Sequence, residues 1–160
     1  MNAEINLLLG EIRKSSDHLD RLAEIYAQAV STLDSNERSL EKAVFLSEIF
    51  ANYYTCLESV FFRVSQFFEN SLPEAHWHRE LLDRMLMEIP DVREPVISEE
   101  TRSLLDEFRK FRHFKRYYYS MDYDWDKIDY LRKKFQRLIK TCPEDISSFE
   151  SFLIRLKEGQ

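Results

Sequence analysis

The segment from Phe108 to Met121 carries the residues of this chain that are best suited to phosphate chemistry. It holds five Lys or Arg residues and no Asp or Glu, in a protein whose net charge is −6. Guanidinium groups form paired hydrogen bonds with phosphate oxygens, and the imidazole of His113 can carry a proton near neutral pH. A cationic segment in an acidic protein favours a local anion-binding task over general attraction to polyanions.

Wound as a helix of 3.6 residues per turn, this segment divides into two sides. The aromatic side is expected to pack against a core and consists of Phe111, Phe114 and Tyr118. The opposite side is cationic and consists of Arg109, Arg112 and Arg116, with His113 at its edge and Tyr119 beside Arg112. A solvated basic face is the alternative interpretation. Such faces usually carry Glu or Asp as i,i+4 partners, and this segment has none.

One carboxylate is expected to support the cationic side. Glu58 lies among Tyr54, Leu57 and Phe61, on the apolar side of an earlier helical run. A buried carboxylate needs a partner to offset the cost of leaving water, and the natural one is Arg112. The sequence is equally compatible with Glu58 lying at the edge of the apolar stripe and reaching solvent.

Other polar clusters do not predict a metal or cofactor site. His76 and His78 are two residues apart, so they point in different directions on a helix, and no third ligand follows at helical spacing. Four closely spaced aspartates surround Trp125: Asp122, Asp124, Asp126 and Asp129. They lack the central Gly and terminal Glu of a calcium loop, so they are expected to start a helix. No Gly-rich phosphate loop is present.

The composition predicts one all-α domain over residues 1–160. Only two Gly and four Pro interrupt a chain rich in helix-forming residues. Cys56 and Cys142 are isolated and are expected to be reduced. The sequence has no run of the roughly 20 apolar residues that span a membrane, and its start lacks the pattern of a signal peptide. We therefore expect a soluble, cytoplasmic protein that does not associate with membranes.

Hydrophobic periodicity predicts an up-and-down helical bundle, with two long antiparallel helices and three or four shorter ones. The expected helices cover residues 5–33, 40–68, 74–89, 98–121, 122–142 and 144–157. Ser98 is expected to cap the basic helix after a loop over residues 90–98. Pro143 is expected to end the fifth helix.

The basic helix carries a family resemblance. Phe111 to Tyr119 reads Phe-Arg-His-Phe-Lys-Arg-Tyr-Tyr-Tyr, which resembles the Phe-Arg-His-Phe-x-Arg-His-x-Tyr motif of HepT-like toxins of the HEPN superfamily. The similarity spans at least residues 53–131, and its further segments are Trp77–Leu82, Glu88–Pro90, Ser98–Thr101 and Leu104–Phe111. The resemblance implies an all-α bundle of the HEPN type that acts as a homodimeric, metal-independent ribonuclease. The expected substrate is RNA, most plausibly tRNA.

The resemblance also implies roles for individual residues. The motif Arg would orient the scissile phosphate, and the motif His would move the proton of the attacking ribose 2′-hydroxyl. The implied catalytic positions are Arg112, His113, Arg116 and Tyr117. Arg109 and Lys115 would bind RNA phosphates, and Glu58 would support the site. Tyr119 matches the tyrosine that a minimal nucleotidyltransferase antitoxin modifies with AMP.

One position departs from the motif. Tyr117 stands where the motif has His, and tyrosine, with an ordinary pKa near 10, is a poor base at neutral pH. Either His113 takes over proton transfer, or the nuclease is impaired. In the second case the protein is a binding module for the nucleotidyltransferase or RNA.

Overall fold

Five α-helices make up nearly all of the part of the chain that the structure describes. The computed structural model describes residues 2–32, 38–69, 77–117 and 121–159, apart from the side chains of Trp77 and Tyr117. The helices are α1 (Asn2–Ser31), α2 (Leu40–Glu69), α3 (Trp77–Leu86), α4 (Glu99–Tyr117) and α5 (Trp125–Glu158). No β-strand occurs within these ranges, so the all-α prediction is confirmed.

The first two long helices run antiparallel, as their lengths and turn predicted. Near the start of α1, Glu11 forms an ion pair with Arg63, which lies near the end of α2. At the other end, the Lys42 Nζ donates a hydrogen bond of 3.2 Å to the Thr32 carbonyl. Residue numbers therefore rise along one helix as they fall along the other.

Helix α2 is the centre of the bundle and contacts each of the other four helices. Its Phe50 ring lies 5.4 Å from Phe108 of α4 and 5.1 Å from Phe135 of α5, measured between ring centroids. Tyr26 of α1 closes the cluster at 4.7 Å from Phe135. Edge-on and tilted aromatic contacts of this kind add to the gain from burial. They fix the position of α4 on α2, where the basic helix meets Glu58.

Pro143 does not end a helix, so that prediction was wrong. Helix α5 is continuous over 34 residues, with Pro143 inside it. A proline in a helix interior removes one backbone hydrogen bond and costs about 3 kcal/mol. Here Cys142 and Ile146 are buried on either side of it, and Asp145 accepts hydrogen bonds from the backbone nitrogen and Oγ of Ser98, at 2.9 and 2.8 Å. Packing against the core and α4 outweighs the local cost.

Helix α3 ends at Leu86, earlier than the predicted Ile89. The buried guanidinium of Arg93 donates to the carbonyl oxygens of Arg84 (2.8 Å) and Met87 (2.9 Å). These carbonyls face the C-terminal end of α3, so Arg93 caps the helix. Residues 74–76, where the predicted helix begins, lie outside the described residues.

Helix α4 starts at the predicted Ser98 cap, and α5 starts within the predicted aspartate cluster, where Asp124 is the cap. The Ser98 Oγ accepts a 3.2 Å hydrogen bond from the backbone nitrogen of Thr101, and the Asp124 carboxylate accepts one of 2.9 Å from that of Asp126. In the described ranges no three His, Cys, Asp or Glu side chains are grouped to hold a metal ion. None of the described helices is long and apolar enough to cross a membrane.

Candidate functional site

Glu58 and Arg112 form a buried ion pair between α2 and α4. The Arg112 Nη1 lies 2.7 Å from one carboxylate oxygen of Glu58, and Nη2 lies 2.9 Å from the other. Glu58 is 8% exposed and Arg112 9%. The predicted partner of Glu58 is confirmed, and the alternative of a solvent-facing Glu58 is wrong. The paired geometry fixes the plane of the guanidinium group.

Two further residues of α2 hold this pair. The Tyr54 hydroxyl donates to Glu58 Oε1 at 3.3 Å, and the Arg112 guanidinium lies over the Tyr54 ring, 4.6 Å from its centroid. Thr55 Oγ1 accepts a 3.1 Å hydrogen bond from Arg112 Nη1. Burial raises the pKa of Tyr54 well above its usual range, and the Glu58 charge raises it further. Tyr54 therefore keeps its proton and remains a donor.

Helix α3 adds His78 to the same carboxylate. The His78 Nδ1 is in hydrogen-bond contact with Glu58 Oε1 and lies 3.3 Å from the Arg112 Nη2. Sequence reasoning weighed His78 only as a metal ligand and missed this contact. Glu58 and His78 are 20 residues apart, on separate helices, so no local spacing could reveal it. The one available signal was that His78 falls in the Trp77–Leu82 segment of the family resemblance.

The three arginines do not share one solvent-facing side of α4, contrary to the prediction. The buried side of α4 passes through Leu105 and Phe108 and continues to Arg112, one turn on. Phe114, which was expected to pack in the core, is 45% exposed. A sequence-based helical projection assigns charged residues to the solvent side. Arg112 lies on the buried side because Glu58 neutralises it.

The remaining predicted cations differ in their surroundings. Arg109 donates from Nε to Asp106 at 2.8 Å, Lys115 forms an ion pair with Glu48 of α2, and Arg116 is exposed. Burial alone would raise the pKa of Asp106, but hydrogen bonds from Lys110 and Arg109 hold it below the usual value. To bind a phosphate, Arg109 would therefore have to give up its contact with Asp106, and Lys115 its contact with Glu48.

The aromatic end of the motif is only partly described. His113 is exposed on α4, and Tyr117 is the last residue of that helix. The Tyr117 side chain and all of Tyr118 and Tyr119 lie outside the described residues. The structure thus brings together Glu58, Arg112 and His78.

An open groove of about 380 Å³ begins at Glu58. Its lining comes from α2 and consists of Glu58, Ser59, Phe62, Arg63 and Gln66. The volume is in the range of small-molecule sites. Glu58 thus takes part in the ion pair with Arg112 and also contributes to the lining of this groove.

The comparison with protein families agrees with this geometry. The family described as "HepT-like protein" matches residues 45–153, about two-thirds of the chain. The matched region contains Glu58, His78 and Arg112. Searches of the curated proteins and of the solved structures found no match. The chain belongs to the HepT-like family of the HEPN superfamily.

Proposed function

We propose that this protein is the toxin of a toxin–antitoxin pair and cuts RNA as a metal-independent endoribonuclease. It acts in the cytoplasm as a single-domain homodimer, and tRNA is the expected substrate. The observation that carries the proposal is the buried Glu58–Arg112 pair, in which the motif arginine is held by two hydrogen bonds to one carboxylate. Family membership supports the reaction class.

In this proposal the cations of α4 have different roles in binding RNA phosphates. Glu58, Thr55 and the Tyr54 ring fix the orientation of Arg112, so its remaining N–H groups meet a phosphate without rearrangement. The Glu58 carboxylate offsets the positive charge of Arg112. Arg116 lies one turn further along α4 and is exposed, so it supplies positive charge to the phosphate in place of Arg112. Arg109 and Lys115 bind neighbouring phosphates of the strand.

The proposed antitoxin is a minimal nucleotidyltransferase that transfers AMP to Tyr119. Tyr119 follows Arg116 by three residues. The transferred group brings a negatively charged phosphate near the cations of α4, where it would compete with RNA. This part of the proposal rests on the motif that Tyr119 matches.

A binding module without nuclease activity is the second candidate. It is favoured by Tyr117 in place of the motif His, and by the carboxylates that neutralise Arg112 and Lys115. In that case the dimer binds the nucleotidyltransferase or RNA through α4 and leaves RNA intact.

A cleavage assay separates the two candidates. Unmodified protein is incubated with a total tRNA pool in EDTA, beside Arg112→Ala and the matched control Arg155→Ala, which removes an exposed arginine of α5 paired with Glu94. We expect cleavage by the parent and the control, and a loss on the order of 100-fold or more in Arg112→Ala. Intact RNA with all three proteins, with RNA or antitoxin binding retained, would favour the binding module.

A further inference from the structure

The structure contains an imidazole beside the motif arginine, although the motif position for histidine is Tyr117. It comes from His78 of α3, which contacts the carboxylate that holds Arg112. Three helices therefore contribute to one cluster: Glu58 and Tyr54 from α2, His78 from α3 and Arg112 from α4. The inference drawn from this cluster rests on the proposed ribonuclease function.

The contact with Glu58 is the basis on which we assign the tautomer of His78. A carboxylate accepts hydrogen bonds, so the contact between Nδ1 and Glu58 Oε1 requires a proton on Nδ1. Arg112 Nη2 and the Tyr54 hydroxyl also donate to Oε1, so three donors share one acceptor. In the neutral imidazole the lone pair is then on Nε2, on the far side of the ring from Glu58. A carboxylate that fixes a histidine in this way also stabilises the ring once it becomes protonated.

The site is accessible as well as ordered. One-third of the His78 side chain is exposed, whereas Glu58 and Arg112 are buried. The groove of about 380 Å³ that begins at Glu58 also contains the amide of Gln66 and the guanidinium of Arg63. Both can bind the phosphate or sugar of a nucleotide. Glu58 is therefore both a lining residue of this groove and the carboxylate that contacts His78.

We propose that His78 is the catalytic residue that accepts the proton of the attacking ribose 2′-hydroxyl. The 2′-oxygen bonds to phosphorus as its proton passes to Nε2 of His78. The bond between phosphorus and the 5′-oxygen breaks, and that oxygen takes a proton from a water molecule. The products are a 2′,3′-cyclic phosphate end and a 5′-hydroxyl end, and His78 returns its proton to solvent.

His113 occupies a different place. It follows Arg112 directly, so it projects about 100° away around α4, and it is exposed while Arg112 is buried. His78 contacts both members of the ion pair that holds the motif arginine. For this reason we assign proton transfer to His78.

The test compares three histidine variants of the full chain on a tRNA pool in EDTA. They are His78→Gln, His113→Gln and, as matched control, His18→Gln, an exposed histidine of α1. Initial cleavage rates are measured across pH 5–9, and the new ends are analysed for 2′,3′-cyclic phosphate. Thermal melting checks each fold. His78→Ala with added imidazole provides a second measurement, since a small base can replace the missing ring.

We expect His78→Gln to lose on the order of 100-fold in rate and to lose more than His113→Gln, while the control His18→Gln stays near the parent. The parent rate should fall on the acid side as the base becomes protonated, and His78→Gln should lack that fall. Among the described residues, the charged groups in contact with His78 are Glu58 from α2 and Arg112 from α4, so the parent profile is compared with that of Glu58→Gln. Imidazole should restore part of the rate of His78→Ala.

Different failures have different meanings. A parental rate and pH profile in His78→Gln, with Arg112→Ala inactive, would overturn the role of His78 and leave the ribonuclease proposal standing. A slower His78→Gln that keeps the acid-side fall, together with no effect of imidazole on His78→Ala, would make His78 a positioning residue and would also overturn the inference. A parent that leaves RNA intact would overturn the ribonuclease proposal, and this inference with it.

Discussion

Removing one member of the buried ion pair should destabilise the protein far more than removing one member of an exposed pair. Arg112→Met keeps much of the side-chain volume but leaves the Glu58 carboxylate, 8% exposed, without its cation. Breaking a buried pair in this way costs about 3–5 kcal/mol. For a chain of this size each kcal/mol lowers the melting temperature by about 2–4 °C, so we expect a fall of roughly 6–20 °C.

The matched variant is Arg155→Met. Arg155 pairs with Glu94, and both side chains are more than half exposed. Such pairs contribute about 0–1 kcal/mol, so its melting temperature should fall by no more than a few degrees. Urea and thermal melts followed by circular dichroism measure both variants.

A double variant, Glu58→Gln with Arg112→Met, removes both charges and should recover part of the loss, since no buried charge is left unpaired. Equal melting temperatures for Arg112→Met and Arg155→Met would refute the reasoning. They would mean that Glu58 and Arg112 are as well hydrated as a surface pair.

Two predictions concern the rest of the fold. Because α5 is continuous through Pro143, Pro143→Ala should restore a backbone hydrogen bond and raise the melting temperature by several degrees; a fall would show that the proline stabilises a kink. Burial raises the pKa of Cys142 to about 12, from the ordinary value of 9.0. The thiol therefore ionises more readily in the unfolded chain than in the folded protein. As the pH rises from about 9 to 12, ionisation should favour the unfolded chain and lower the free energy of unfolding. Urea melts at pH 8 and pH 10.5 should show this loss, and Cys142→Ala should reduce the difference between them.

Local patterns were enough to predict most helices and one contact between them. The apolar periodicity predicted α1 and α2 because an apolar repeat of 3.6 residues over such lengths is typical only of an amphipathic helix. Ser98 was recognised as a helix cap, and the aspartate cluster as a helix start, because capping depends on nearest neighbours in sequence. The Glu58–Arg112 pair followed from the cost of burying a charge.

The errors came from long-range packing. Pro143 carries a strong local signal for a helix end, but buried neighbours and Asp145 keep α5 intact. Arg112 was grouped with Arg109 and Arg116 on one side of α4 because a helical projection does not show which part of the helix faces α2. His78 was missed as a site residue because its contact depends on how α3 lies on α2, and nothing in its neighbouring residues encodes that.

Two carboxylates of α2 hold the short helix α3, one near each end of α3. Glu58 holds His78 near the start of α3, and Glu69 holds Arg84 near its end. These two acids are 11 residues apart, about 16 Å and three turns along α2, so they project from one side of it. Arg93 strengthens the second attachment by donating to Glu69 at 2.7 Å. Two contacts with α2 therefore fix both the position and the direction of α3, and the placement of the His78 ring depends in part on the Glu69–Arg84 contact near the other end of the helix.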